Sequence, residues 1–226
     1  MLLEVRHLTR YRYAEPVRES IMELWMQPQK SSRQRLVSFE LDLDPAAQLF
    51  SYIDAFGNAV YHFDVPQPHT ELTIKVRAAV ETDPVPVPID PLDHGEWDRL
   101  KSDFVRGDCF DYLNPHRFVE ETERLRAFEV EHGLDALRRL DPWTAVQKLS
   151  SCIHDAMDYV PGFTEADSPI DLALEEKKGV CQDFAHIMIA VCRSWGVPAR
   201  YVSGYLYTDR DEDRSSPDAT HAWVEV

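Results

Sequence analysis

The most informative segment of the chain is "GVCQDFAHIMIAVCRSWGVPAR", from Gly179 to Arg200. Its apolar residues recur nearly all round the helical turn, which predicts a buried central helix that begins near Cys181 and stops at Gly196-Val197-Pro198. The positive end of a helix lowers the pKa of a thiol, and the thiolate is the nucleophilic form. Cysteine is also a small hydrophobe that often lies inert in a core. Cys181 therefore has a chemical and a packing interpretation.

The composition predicts a soluble globular protein with one large domain or two small ones. The 226 residues carry a formal net charge of −16. Such a surface repels phosphate, so nucleic acid and anionic membranes are poor partners. The start of the chain lacks an apolar signal segment, and no run is long enough to span a bilayer. The four cysteines form no C-x-x-C pair, which is typical of free thiols in the cytoplasm.

The first part of the chain alternates with the period of β-strands. In "RLVSFELDLDP", every second residue is apolar, namely Val37, Phe39, Leu41 and Leu43. This alternation predicts a strand with one apolar face. The stretch "YIDAFGNAVYHFDV" predicts two strands around a turn at Asp54–Asn58. "HTELTIKVRAAVET" alternates again. Residues 1–88 are therefore predicted to form a β-rich domain, an antiparallel sandwich with short loops.

The period changes after "TDPVPVPIDP" (Thr82–Pro91), whose four prolines predict a spacer and a boundary near residue 88. Residues 89–226 combine helical stripes with late strands, which predicts an α+β domain. The predicted elements are a helix from the Phe118 region to Gly133, one from Asp141 to Pro161, one between Ser168 and Gly179, the Cys181 helix, and strands in "ARYVSGYLYT" and "HAWVEV". The patch "DRDEDRSSPD" (residues 209–218) is predicted to be a solvated loop.

Cys181 and His221 are the candidate catalytic residues. His221 opens the strand "HAWVEV" after a polar loop, where it can lie at a sheet edge near the start of the Cys181 helix. A general base beside a cysteine is the arrangement that nucleophilic catalysis needs; the alternative is an exposed edge histidine. His186 lies five residues along the helix and is predicted to point away from the sulfur.

The other candidates for chemistry are weaker. Cys152 and Cys192 lie in apolar helical stretches, which favours inert packing, and Cys109 lies in a loop without a mechanism. Zinc ligands usually come in close pairs that this chain lacks, so no metal is predicted. No phosphate-binding glycine loop or nucleotide fingerprint is present, so no cofactor is predicted.

The two blocks "GVCQDFAHIMIAVCRSWGVPARYVSGYL" and "HAWVEV", in this order, closely resemble the core of the bacterial transglutaminase-like family, and "DAFGNAVYHFDV" resembles the β-rich domain that precedes it. The resemblance implies a papain-like α+β core, with Cys181 as the nucleophile and His221 as the general base. The family's third member is an aspartate on the strand after the histidine. No aspartate follows His221, and Asp218 precedes it, so the third acid is absent and the core is expected to be truncated at its C terminus.

The expected function is thiol-dependent acyl transfer on protein or peptide amides, without a cofactor. Hydrolysis by a protease or amidase is favoured over transamidation, because the sequence contains no recognisable binding site for an acceptor amine. The backbone N–H of Cys181 is the predicted oxyanion donor, and Gln182 and Tyr159 are further candidates. The alternative is a non-enzymatic binding module that keeps the transglutaminase fold.

Overall fold

The computed structural model describes residues 1–83, 91–207 and 220–226. The described residues fall into two units, the first formed by residues 1–83 and 207 and the second by residues 91–206 and 220–226. The predicted boundary near residue 88 and the predicted loop at 209–218 lie outside the described residues. Within the three described ranges, no helix is both long enough and apolar enough to cross a membrane.

The first unit contains two three-stranded antiparallel sheets, as the alternation predicts. One sheet has the strand order β1-β6-β3 and the other β2-β5-β4. The strands are β1 (Leu2–Val17), β2 (Ser20–Leu24), β3 (Gln34–Asp44), β4 (Phe50–Ile53), β5 (Ala59–Val65) and β6 (His69–Thr82). Phe63 and Val65 of β5 pack with Leu72 and Ile74 of β6 in one buried cluster. Each sheet thus buries an apolar face against the other, as in a sandwich.

The predicted apolar face of β3 is wrong at one residue. The register with β6 shifts between Leu36 and Ser38, so Val37 is the extra residue of a β-bulge and is 48% exposed. A bulge reverses the parity of the residues on one side of it. Leu36 therefore faces inward, as Phe39 does. An unbroken alternation would have placed Val37 inward instead.

The predicted turn at Asp54–Asn58 is confirmed. The Asp54 N–H donates to the Asn58 carbonyl at 3.0 Å, and an oxygen of the Asp54 carboxylate accepts from the backbone N–H of Phe56 and of Asn58. Gly57 has a φ of 79°, a conformation that glycine adopts without steric cost. The turn fixes the pairing of β4 with β5.

The second unit is mainly helical with two small sheets. Its helices are α1 (Glu96–Leu100), α2 (Asp103–Asp108), α3 (Phe110–Leu113), α4 (Glu123–Glu131), a 3₁₀ turn (Leu134–Arg139), α5 (Pro142–Ala156), α6 (Ile170–Glu176) and α7 (Cys181–Ser194). The strands β7 (Asp158–Tyr159) and β8 (Lys178–Gly179) pair in parallel, and β9 (Arg200–Gly204) pairs antiparallel with β10 (His221–Glu225). This mixture confirms the predicted α+β class.

Helix caps explain which predicted boundaries are confirmed. The Asp141 carboxylate accepts from the Thr144 N–H at 3.0 Å and Pro142 begins α5, as predicted. The predicted start of α4 is too early, because Thr122 caps the helix and Phe118 precedes it. The limits predicted for α6 are also wrong: Pro169 and not Ser168 is the N-cap, and the helix ends at Glu176, followed by the C-cap Lys177 with a left-handed φ of 52°.

Helix α7 is the centre of the second unit. Its buried residues join those of α5, α6 and α4 in one apolar cluster, because it is apolar on nearly every side. Strand β10 packs against α7, and its Val224 contacts the same cluster. The prediction of a buried central helix from Cys181 is confirmed.

Candidate active site

The start of α7 is held by a buried carboxylate. Asp183 is 1% exposed, and its Oδ2 accepts from the Val180 N–H at 2.8 Å and from the Thr164 hydroxyl at 2.5 Å. A Cβ on Gly179 would lie 2.8 Å from the Asp183 side chain, so glycine is the residue that allows this close approach. The backbone that leads into Cys181 is thus held by the hydrogen bond to the Val180 N–H and by the close contact between Asp183 and Gly179.

Two backbone N–H groups beside the sulfur remain available. The N–H groups of Asp183 and Phe184 both reach the Val180 carbonyl, at 3.0 and 3.2 Å. Those of Cys181 and Gln182 find no acceptor among the described residues. Unpaired N–H groups in the first turn of a helix attract developing negative charge. They therefore suit an oxyanion that forms at Cys181.

The four thiols lie in different surroundings. Cys181 is partly exposed, whereas Cys192 is buried and burial raises the pKa of its thiol to about 12. Burial, with a smaller contribution from the Asp155 charge, also raises the pKa of Cys152. Cys109 is partly exposed at the junction of α2 and α3. Cys181 alone is the first residue of a long buried helix.

The register of β9 and β10 indicates toward which end of α7 His221 lies. Tyr201 of β9 contacts His186 of α7, with ring centroids 5.1 Å apart. From this contact, β9 continues three residues to Gly204, about 10 Å, and α7 extends back five residues to Cys181, about 7.5 Å. Gly204 is paired with His221. The register thus brings the first residue of β10 to the same end of the helix as Cys181.

The pleat puts His221 on the face of β10 that also carries Trp223 and Glu225, because side chains alternate along a strand. Val224, on the other face, packs into the core. No hydrogen bond joins the His221 ring or the Cys181 sulfur to any described residue. His221 is therefore on the face of β10 opposite the one that packs against the α7 cluster, and its pairing with Cys181 stays a prediction.

Gln182 and Tyr159 flank the helix start in different ways. The Gln182 side-chain amide donates to the Ala166 carbonyl at 3.1 Å, which ties the segment before α6 to α7. Tyr159 pairs with Gly179 in the β7–β8 ladder, and its partly exposed ring lies 6.3 Å from that of Phe184. Both residues border the site, and their role as oxyanion donors stays a prediction.

Sequence reasoning placed His186 on a face of the helix but did not predict the aromatic rings that pack around it. His186 is buried, its ring stacks on Phe118 at 5.4 Å, and its Nδ1 has no partner among the described residues. Burial lowers the pKa of His186, opposed by the charge of Asp183. Burial raises the pKa of Tyr201, and the nearby charges of Cys181 and Asp183 add to the effect. Asp183 lies at the third helical position, from which an acidic side chain can reach back to the N-cap N–H.

The described residues contain no group of three or more His, Cys, Asp or Glu side chains placed to hold a metal ion. The chemistry that these residues themselves can support is that of a thiol, an imidazole and backbone donors at one end of a helix.

Comparison with known proteins matches both halves of the chain. The bacterial transglutaminase-like N-terminal region matches residues 3–81, and the transglutaminase-like superfamily core matches residues 135–226. The chain is 33% identical to an uncharacterized protein of Mycobacterium leprae over 99% of this chain and 78% of that protein. It is also 33% identical to an uncharacterized protein of Mycobacterium tuberculosis, over 98% of this chain and 72% of that protein.

A solved structure has the same fold. It is the crystal structure of a protein from Cytophaga hutchinsonii described as a candidate cysteine protease, with a TM-score of 0.71 and 19% identity over 100% of this chain and 74% of that chain. The two matched regions and the long relatives place both parts of the chain in one family. The chain belongs to the bacterial transglutaminase-like family.

Proposed function

We propose that the protein is an enzyme that transfers acyl groups from protein or peptide amides through a thioester on Cys181, with His221 as the general base. The observation that carries the proposal is the partly exposed thiol at the start of α7, beside two N–H groups that lack acceptors among the described residues. A thiol in this position gains both activation and an oxyanion site.

The reaction follows from these groups. His221 takes the proton of the thiol, and the sulfur attacks the amide carbonyl to form a carbon–sulfur bond. The carbonyl oxygen becomes an oxyanion near the Cys181 and Gln182 N–H groups. When the carbon–nitrogen bond breaks, the imidazolium returns the proton to the leaving amine. Water or a second amine then attacks the thioester, and the carbon–sulfur bond breaks to regenerate the thiol.

Hydrolysis is our preferred outcome over transamidation. Water is always available at a partly exposed sulfur, whereas an amine competes only where the cleft excludes water or binds the amine. The description of the Cytophaga protein as a candidate cysteine protease supports the same preference. The net charge of −16 supports a protein or peptide substrate over a nucleic acid.

The test compares Cys181→Ala with Cys152→Ala, a matched change at another thiol of the same unit. Each protein is incubated with casein and with a glutaminyl peptide, with and without a primary amine, and ammonia, new amino termini and amine adducts are measured. We expect ammonia or new termini from the wild type and Cys152→Ala, and neither from Cys181→Ala. Amine adducts in excess of hydrolysis products would overturn the preference for hydrolysis. Product formation by Cys181→Ala would overturn the proposal.

A non-enzymatic binding module is the second candidate. It is favoured by the absence of a hydrogen bond between Cys181 and His221 in the described part of the chain. Capture of a peptide with equal affinity by the wild type and Cys181→Ala, without any product from the wild type, would establish it.

A further inference from the structure

The β2-β5-β4 sheet of the first unit has an outer face that carries aromatic side chains. Phe63 and Val65 of β5 are buried in the cluster of the first unit, so His62 and Asp64 lie on the opposite face, because side chains alternate along a strand. The register with β2 and β4 extends this outer face across all three strands. Its exposed members are Ile21, Glu23, Trp25, Phe50, Tyr52, His62 and Asp64.

Two hydrogen bonds hold aromatic rings of the outer face in place. The Tyr52 hydroxyl donates to Oε1 of Glu23 at 3.0 Å, and the Trp25 indole N–H donates to Oδ2 of Asp54 at 3.3 Å. Each bond joins the β4 side of the sheet to the β2 side, so both pass over the central strand β5. Val60 of β5, the registered partner of Tyr52, shares this face and is 0% exposed. The two rings therefore cover it.

The rings form one continuous patch that stays open to solvent. Phe50 stacks on His62 with ring centroids 5.2 Å apart, and Tyr52 lies 6.4 Å from the same imidazole. Trp25 and Phe50 are nevertheless 56% and 50% exposed. Contiguous exposed apolar patches with polar neighbours mark interaction sites. Rings that are already held in place also lose little freedom when a partner binds.

The charges of the outer face are negative. Strands β2, β4 and β5 contain Glu23 and Asp64 and no lysine or arginine. Neither Asp64 nor Oε2 of Glu23 has a hydrogen bond or an ion pair with any residue that the structure describes. The other sheet of this unit is different, because its strands contain basic residues, most of them in ion pairs: Arg6, Arg10, Arg12, Arg35, Lys75 and Arg77.

A lysine or arginine side chain is complementary to both features of the outer face. The face of an aromatic ring attracts a cation, and a carboxylate forms strong charge-assisted hydrogen bonds with an ammonium or guanidinium group. A second copy of this chain, with its net charge of −16, would bring like charge to the patch. A phosphate-bearing ligand would be repelled in the same way.

We propose that the outer face is a docking surface for a lysine- or arginine-containing segment of another polypeptide. The basic side chains lie against the rings of Trp25, Phe50 and Tyr52 and pair with the free carboxylate oxygens of Glu23 and Asp64. This inference concerns the first unit and does not rest on the proposed function, so it stands or fails independently of the chemistry at the start of α7.

The test titrates the ¹⁵N-labelled full chain with a capped hexapeptide of alternating lysine and alanine and follows the backbone amide shifts by NMR. We expect the shift changes to lie in β2, β4 and β5. Tyr52→Ala and Glu23→Gln should each weaken the affinity for this peptide about two- to fivefold, the usual contribution of an exposed contact between a cation and a ring or carboxylate. Thermal melting establishes that each variant is folded.

Tyr11→Ala and Glu40→Gln are the matched controls and should bind the peptide as the wild type does. Both residues are exposed on the other sheet, and neither has a hydrogen bond, ion pair or ring contact with the described residues. An equal loss of affinity in Glu40→Gln would reduce the binding to net-charge attraction and refute the site. Equal affinity for a hexapeptide with glutamine in place of lysine would refute the basic partner. Self-association in sedimentation, without peptide shifts, would assign the face to a second copy instead.

Discussion

Each unit contains a histidine and a nucleophilic side chain, and the two pairs differ in almost every physical respect. In the first unit, the Ser20 hydroxyl lies 2.9 Å from Nε2 of His69, and Nδ1 of His69 lies 2.8 Å from the Gln67 carbonyl. Ser20 and His69 are 8% and 7% exposed. In the second unit, Cys181 and His221 are partly exposed, and neither side chain has a hydrogen bond among the described residues.

Hydrogen-bond geometry therefore does not by itself identify a catalytic pair. Nδ1 of His69 must donate to the carbonyl, so Nε2 accepts the serine proton, as in a hydrolase. Yet Ser20 begins β2 and His69 begins β6, one in each sheet, and their bond ties the sheets together. Substrate needs access and unpaired groups, which Cys181 has and Ser20 lacks.

The comparison is tested most strongly by His221→Ala. We expect amide turnover to fall about 10²–10⁴-fold, the usual contribution of a general base. The steady-state rate of ammonia or amino-terminus release measures it. His69→Ala is the matched histidine change in the first unit and should leave the turnover of the folded protein unchanged. Equal losses in the two variants would contradict the distinction between the pairs.

Asp183→Ala should have the next largest effect. It leaves the partly buried Val180 N–H and Thr164 hydroxyl without their acceptor, and a loss of this kind costs at most about 1–3 kcal/mol for each group. We expect a lower free energy of unfolding for the second unit, measured by urea titration, and slower Cys181 alkylation because the first turn of α7 loosens. Asp167→Ala, an exposed carboxylate in the same region, is the control. A variant as stable as this control would show that Asp183 does not hold the helix start.

Ser20→Ala should weaken the first unit without affecting the second. Nε2 of His69 would lose its partner in a buried site, which costs about 1–3 kcal/mol. Urea unfolding followed in the first unit measures the loss, and Ser51→Ala, at an exposed position of β4, is the control. Cys181 alkylation should stay at the wild-type rate. Slower Cys181 alkylation in folded Ser20→Ala would show that the Ser20–His69 pair affects the reactivity of Cys181.

The smallest effect is a pH dependence of stability from His186. Burial lowers its pKa below the ordinary 6.5, so the unfolded chain takes up the proton first as the pH falls. Its contribution to stability is therefore complete above pH 6.5 and is lost as the pH falls through the lower folded pKa. His186→Phe keeps a ring between Phe118 and Tyr201. Its melting temperature should fall less than that of the wild type between pH 7.5 and 5. Parallel curves for the two proteins would contradict this.

Local signals made much of the fold predictable from the sequence. The cap at Asp141, the turn at Asp54–Asn58 and the start of α7 depend on residues within four positions of each other, and all three are confirmed. The family resemblance, carried by the blocks around Cys181 and His221, is confirmed by the matches to both regions.

Features that depend on distant partners could not be predicted. The bulge at Val37 is set by pairing with β6, and the Thr164–Asp183 bond joins residues 19 positions apart. The outer face of the β2-β5-β4 sheet needs the register of three strands. The left-handed Lys177 at the end of α6 also lacks the glycine that would have signalled it.

The central claim is that Cys181 is the activated thiol of this chain. Limiting iodoacetamide at neutral pH, followed by peptide mapping of the four cysteines in the folded protein, tests it most directly. We predict that Cys181 is alkylated first, that Cys152 follows slowly, and that Cys192, with a pKa of about 12, reacts only on unfolding. Alkylation of Cys109 or Cys192 before Cys181 would contradict the assignment.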